Sequence, residues 1–394
     1  MHWLNRRRIV IYSWSFVALY FIVAGLSYSS GKGINDFRGK ALGSDYLCFY
    51  AASELAREGD ISGVYNINQV YRKEVDLAGE QADMAGFYYP PTFLLLVLPL
   101  AYLPYIISLV IWVSTTLVFY AALLRRIAPD PATLGLALAF PGAFQNAIHG
   151  QNGFLTTALL GWGLFLLREH PVLAGISLGL LTYKPHLALL VFIALVAGRY
   201  WKALAAAAFS AGVFALASAA VFGLDAWLSF MGQMPFVSYI TESGYLPWVK
   251  MSTVFAASRL IGVGIQTSYI LQGIIAFCVI ILVFWVWHRE MSYYLKASVL
   301  IAGIFLATPY SFQYDLALLA AAIAFYGWEV YKKGCLPYEK AVLFAVWVMP
   351  LINDPIARLT NIQIVPLILV AFLILAVRRF YLFDRAGTIA FQEV

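Results

Sequence analysis

Asp45 is the acidic residue best set to take part in a reaction. Gly43-Ser44 precedes a helix-like stretch, Tyr46 to Arg57, with Leu47, Tyr50, Ala51 and Leu55 on one side and Gly59 as a stop. Ser44 suits the N-cap, which puts Asp45 in the first turn, where the helix dipole favours the carboxylate. A carboxylate held there could take a proton from a hydroxyl nucleophile; equally, it could only assist the cap. Lys184 ends an apolar stretch, Leu173 to Tyr183, and is followed by Pro185. It reads as a point charge for a phosphate or as a lysine snorkelling to the interface. His149, Gln151 and Asn152 offer donors close together, although a lone histidine is usually structural. Gln313, Tyr314 and Asp315 open another apolar run, where Asp315 could instead complement a helix N-terminus. Tyr88-Tyr89-Pro90-Pro91 closes a polar segment, and Lys250 and Arg259 flank Ser252. Either of those two cations could bind an anion or hold its loop.

The elements that position these residues belong to a membrane. Of 394 residues, 62% are hydrophobic and 12% charged, against roughly 45–50% and about 25% in soluble domains. That balance excludes a soluble enzyme, a disordered chain and a coiled coil. The net charge of +6 comes from small basic clusters between apolar runs, a pattern of topology and not of nucleic-acid binding. Cys48, Cys278 and Cys335 are too far apart in sequence to suggest a zinc site or a disulfide framework.

The chain reads as an all-α polytopic protein, one integral membrane domain over 1–394 with about twelve transmembrane helices. A first helix at 9–28 follows Arg6-Arg7-Arg8, so the N-terminus is expected in the cytoplasm. A long, partly helical outer loop, 29–88, holds nine of the 20 acidic residues. Further spans are expected near 105–124, 132–148, 153–167, 171–184, 187–198 and 203–222, which with 89–104 form a module over 89–222. A second outer segment covers 223–266. The C-terminal part, 267–394, holds spans near 267–287, 292–308, 313–330, 338–353 and 360–377. Residues 89–104 are apolar but carry Pro90, Pro91, Pro99 and Pro104, which predicts an interfacial or re-entrant piece. This threading puts Arg125, Arg126, Arg199, Arg289, Lys332, Lys333, Arg378 and Arg379 in the cytoplasm, with both termini, and gathers the chemically interesting residues at the outer helix ends.

Several motifs follow one another from about 44 to 316: Ser44-Asp45-Tyr46 with Tyr50-Ala51-Ala52, then Tyr89-Pro90-Pro91, Leu98-Pro99-Leu100 and Leu103-Pro104. Gly150-Gln151-Asn152, Ala174-Gly175, Leu178-Gly179-Leu180, Lys184-Pro185 and Tyr314-Asp315-Leu316 continue the series. In these the chain resembles the C-type membrane glycosyltransferases, most closely glycosyltransferase family 87, which includes polyprenyl-phosphate-mannose-dependent α-mannosyltransferases. The resemblance implies the C-type glycosyltransferase fold, with Asp45 as the catalytic acidic residue of the first outer loop. It implies an inverting transfer of mannose or another hexose from a polyprenyl-phosphate donor to a hydroxyl of a glycan or glycolipid acceptor. Lys184 and Arg259 would lie near the donor phosphate; Tyr89, His149, Gln151, Asn152, Gln313, Tyr314 and Asp315 would line the substrate site. No cofactor is expected, and no tight Asp-x-Asp pair suggests a metal, although a divalent ion stays open. Partners would be these substrates and the lipid bilayer, with no nucleic acid, in the inner (plasma) membrane. The competing reading is a multi-helix transporter of a lipid-linked or small polar substrate, with Lys184, Asp315 and His149 along its path. That reading requires polar groups at mid-membrane and internal symmetry, and neither is evident.

Overall fold

The computed structural model describes residues 6–390; residues 1–5 and 391–394 lie outside the described residues. The first helix is α1 (Arg6–Ser29), and the loop behind it folds into α2 (Ser44–Arg57), α3 (Ile61–Val64) and α4 (Ile67–Ala78). After α5 (Pro91–Val97) come α6 (Tyr105–Ile127), α7 (Ala132–Ala139), α8 (Pro141–His149), α9 (Gly153–Leu166), α10 (Pro171–Leu180), α11 (Pro185–Ala197) and α12 (Trp201–Phe222). The second polar stretch contributes α13 (Leu224–Ser243) and α14 (Val254–Leu260). The chain finishes with α15 (Ile265–His288), α16 (Tyr293–Ala307), α17 (Leu319–Lys333), α18 (Glu339–Thr360) and α19 (Val365–Ala390).

Proline explains most departures from the expected spans. The run 132–148 is two short helices, because Phe140 precedes Pro141 and takes an extended conformation, φ −59° and ψ 122°, that a helix cannot contain. Residues 91–102 form a seven-residue helix and a 3₁₀ turn that begins at Leu98-Pro99, too short to cross a bilayer. Conversely α18 continues through Pro350 and Pro355, beyond the expected end at 353. Residues 313–318 form a 3₁₀ turn before α17.

Among the described residues, six helices are long and apolar enough to cross a membrane: α1, α6, α12, α15, α18 and α19. Their outward faces carry large apolar side chains, among them Phe21 and Leu26 on α1, Phe209 and Leu216 on α12, and Phe277 on α15. Water would penalise such a surface, whereas lipid accepts it. The protein is a multi-pass membrane protein.

Helix ends alternate in an orderly way. The C-terminal ends of α8, α16 and α18 and the N-terminal ends of α11 and α15 supply residues to one cavity. The opposite ends carry Arg125, Arg126, Arg199, Lys332 and Lys333. Arg379, read from sequence as a charge that only sets topology, is 1% exposed there and binds both oxygens of Glu339 at 2.9 and 2.8 Å. This pair ties α18 to α19, and Tyr326 of α17 donates to the same carboxylate at 3.0 Å.

Candidate active site

Asp45 stands near the start of α2, but its setting differs from the expected cap. Gly43, in the left-handed region at φ 68°, is the N-cap, and no side chain caps the helix. Ser44 is therefore already helical, and its hydroxyl meets His149 Nδ1 at 2.9 Å and Asp45 Oδ1 at 3.5 Å. Two glycines allow this approach. A Cβ on Gly43 would fall 2.7 Å from Leu109 Cδ1; one on Gly150, φ 64°, would fall 2.6 Å from Tyr46 Cβ and 2.8 Å from the same leucine methyl. Only a residue without a side chain tolerates both the sign of φ and the contact. Trp112 donates to the Gly150 carbonyl at 3.0 Å and Tyr105 to that of Leu42 at 2.7 Å, so α6 holds both turns.

His149 Nδ1 lies 4.0 Å from Asp45 Oδ1. Serine and carboxylate thus face the same ring nitrogen. A hydrolytic triad needs them on opposite nitrogens so that the imidazole can relay a proton, and this arrangement cannot do that. Gln151 accepts from the Asn152 amide at 3.0 Å through Oε1, which leaves its nitrogen for the hydrogen bond it makes with Asp45. Burial pushes the Asp45 carboxyl above the ordinary carboxylate range, against the opposing pull of His149, Lys250, Gln151 and Ser44. Its side chain keeps about a third of its surface exposed, toward the cavity. A raised carboxylate open to a cavity is a better proton acceptor than an ordinary one.

The cavity measures ≈ 950 Å³. Of the residues expected to form the site, Asp45, Tyr89, His149, Gln151, Lys184, Gln313, Tyr314 and Asp315 all line it. Asn152 is fully buried just behind the wall. Arg259 is outside the lining: its guanidinium lies 4.5 Å over the Trp248 ring and donates to the Val263 carbonyl at 2.6 Å. Lys184 lines the cavity but is not a free cation. Its ammonium is 2.5 Å from Asp315 Oδ1, with both side chains almost fully buried, and the Phe312 amide holds the other oxygen of Asp315 at 2.9 Å. Asp315 therefore neutralises Lys184 and anchors the strap 309–315.

Lys250 is an exposed cation of this wall. It ends a 3₁₀ turn, Trp248–Lys250, which Gln363 Nε2 clamps through the carbonyls of Val249 and Met251 at 3.2 and 2.5 Å. Ser252 binds the Ser311 carbonyl at 2.9 Å, tying the turn to the strap. Arg259, stacked on Trp248, buttresses the turn from behind. The lining is mixed: beside its polar groups stand Phe230, Met234 and Val237 of α13, Leu246 and Phe255. The α18 face Leu351, Asp354, Pro355 and Arg358 completes the wall; none of these four is a site candidate from sequence. Among the described residues, no three His, Cys, Asp or Glu side chains come together as metal ligands.

Comparison with curated proteins and with solved structures finds no match. The family model of glycosyltransferase family 87 matches residues 87–309, more than half of the chain. The match covers Tyr89, His149, Gln151, Lys184 and Lys250, while Asp45, the strap residues 313–315 and α18 lie outside it. A transferase family, a membrane fold and one cavity that collects a raised carboxylate with several cations agree with one another: the chain is a membrane glycosyltransferase and belongs to glycosyltransferase family 87.

Proposed function

We propose that the enzyme transfers a hexose, mannose first among the candidates, from a polyprenyl-phosphate donor to a hydroxyl of a glycan or glycolipid acceptor, with inversion. The observation that carries this reading is Asp45, a carboxyl pushed up by burial on a cavity lined by both polar and apolar side chains. An amphiphile with a phosphate between sugar and isoprenoid matches that mixed lining. Its phosphate is proposed to lie beside Lys250, within the field of the Lys184–Asp315 pair and of the turn that Arg259 supports. The cavity volume suits a head group and the first isoprene units, with the rest of the tail left in lipid.

In the proposed step the acceptor oxygen attacks the anomeric carbon as its proton passes to Asp45. The bond between that carbon and the phosphate oxygen breaks, and polyprenyl phosphate leaves with the electron pair. His149 and Gln151 hold the carboxylate in its reactive orientation, and Tyr89, Gln313 and Tyr314 contact the sugar. The step is proposed without a metal. The fold is proposed to be the C-type glycosyltransferase fold with about twelve crossings, the shorter apolar helices shielded by the long ones. The site faces outward and both termini lie in the cytoplasm of the inner membrane; the basic residues at the opposite helix ends support this by the positive-inside rule.

The test is transfer by purified protein in liposomes from radiolabelled polyprenyl-phosphate mannose and glucose to glycolipid acceptors. Parent enzyme should form product that Asp45→Asn enzyme forms at a rate lower by about 10²–10⁴. Equal rates for the two would end the assignment of Asp45.

A further inference from the structure

Two residues of the cavity wall, Gln145 and Asp354, each carry an acceptor oxygen that lacks a hydrogen-bond partner. Gln145 and His149 are one turn apart on α8. Gln145 Nε2 donates to the Pro350 carbonyl of α18 at 2.6 Å, so the amide orientation is fixed and Oε1 is the free end. That Oε1 has no partner. On α18, Arg358 Nε binds Asp354 Oδ2 at 2.9 Å, leaving Oδ1 of the same carboxylate also without one. Both residues line the cavity, with Leu351 and Pro355 on the same α18 face. Sealed acceptor oxygens are rarely left unpaired, because each loses its water on burial. What they lack is a hydrogen donor.

We infer that Gln145 Oε1 and Asp354 Oδ1 form the acceptor subsite, and that it takes a polyhydroxylated ring, a sugar, by accepting hydrogen bonds from its hydroxyls. The location follows from the chain of contacts on the page: Asp45 lies against His149, His149 is one turn from Gln145, and Gln145 is bonded to α18. A sugar bound by Gln145 and Asp354 lies in the same cavity as the base. Arg358 is a positioning residue that fixes the carboxylate. The α18 half of this subsite lies beyond the family match, and Gln145 lies within it. The inference rests on the reading of Asp45 as base.

Two measurements test it. In kinetics with radiolabelled polyprenyl-phosphate hexose as donor and octyl α-mannoside or octyl β-glucoside as acceptor probe, Asp354→Ala should raise the acceptor KM about tenfold. The donor KM should move less than twofold, and 1-octanol, which has no ring hydroxyls, should show no difference between parent and variant. Arg358→Ala should raise the acceptor KM less than Asp354→Ala, and Arg358→Lys should recover part of the loss. A rise in donor KM with acceptor KM unchanged would overturn the subsite. Saturation-transfer NMR with methyl α-mannoside and methyl β-glucoside reads binding without turnover. Signal from the parent that Asp354→Ala loses supports the subsite even if Asp45 proves not to be the base. No signal from the parent, or equal signal from both proteins, overturns it.

Discussion

A single carboxylate shows how far environment decides chemistry. Asp45 is burdened by burial and relieved by His149, Lys250, Gln151 and Ser44, with burial the largest influence. The base must be ionised to work, so transfer should fall as pH drops through a midpoint above the ordinary aspartate value of about 3.9. A rate profile from pH 4 to 8 checks this; the acidic limb should vanish in Asp45→Asn, whose residual rate no longer depends on that group. Glu74 behaves differently. Read from sequence as one of nine acidic residues of an outer loop, it is fully buried, accepts from the Ala85 amide at 3.2 Å and is pushed up to about 8, chiefly by burial. The folded protein keeps that proton where the unfolded chain has lost it, so between about 4.5 and about 8 stability falls as pH rises. Glu74→Gln keeps the acceptor and removes the charge. It should raise the melting temperature at pH 8 by the equivalent of about 1–3 kcal/mol, with little change at pH 4.5, as thermal unfolding in detergent would record. Lys184 and Asp315 form the third case. Lys184→Ala leaves a buried carboxylate alone and should cost about 3–5 kcal/mol, while Lys184→Met with Asp315→Leu should restore folding. Thermal unfolding of the two variants separates the pair's structural share from any effect on the donor.

At the scale of elements, the site depends on turns more than on helices. Gly43 and Gly150 both sit in the left-handed region and both press on Leu109 of α6. Alanine at either position adds about 1–2 kcal/mol of backbone strain and must push α6 or Tyr46 aside. We expect Gly43→Ala to fold with modestly lower stability yet to lose about 10²-fold in turnover, since a displacement near 1 Å at the reacting groups costs that much. The same substitution at Gly212, where a Cβ meets open space, should leave turnover intact and serves as the control. The prolines act as the other punctuation. Pro141 breaks the expected span 132–148 and so aims Gln145 and His149 at the cavity, whereas α18 absorbs Pro350, which lacks the N–H that would bond the Val346 carbonyl and whose own carbonyl receives Gln145. The expected spans, 132–148 and 338–353, run through both prolines; only the packing around each tells a break from a continuing helix.

The whole molecule carries one polarity: chemistry at one set of helix ends, basic residues at the other. Thiol labelling tests the proposed orientation. Glu80 is exposed in the first loop and Cys335 is exposed at the opposite ends. In a background lacking the other cysteines, an impermeant reagent should label Glu80→Cys in intact cells and reach Cys335 only after permeabilisation. The opposite result would invert the threading. What the sequence by itself determined is whatever depends on neighbours along the chain: the helical class, the membrane, the loop that holds Asp45, and motifs that led to the right family. Hydropathy and basic clusters are local properties, so they survive without a fold. The tertiary structure decided which charges are free. Lys184 meets Asp315 across 131 positions, Arg259 turns its back on the cavity to support Trp248, and Lys250, which from sequence could equally bind an anion or hold its loop, stands exposed on the cavity wall. Nor could spacing reveal that Asp354 and Gln145 share a wall. Pairing between distant helices sets the local charge and hydration, and those, more than residue type, decide what a side chain in a membrane cavity can do.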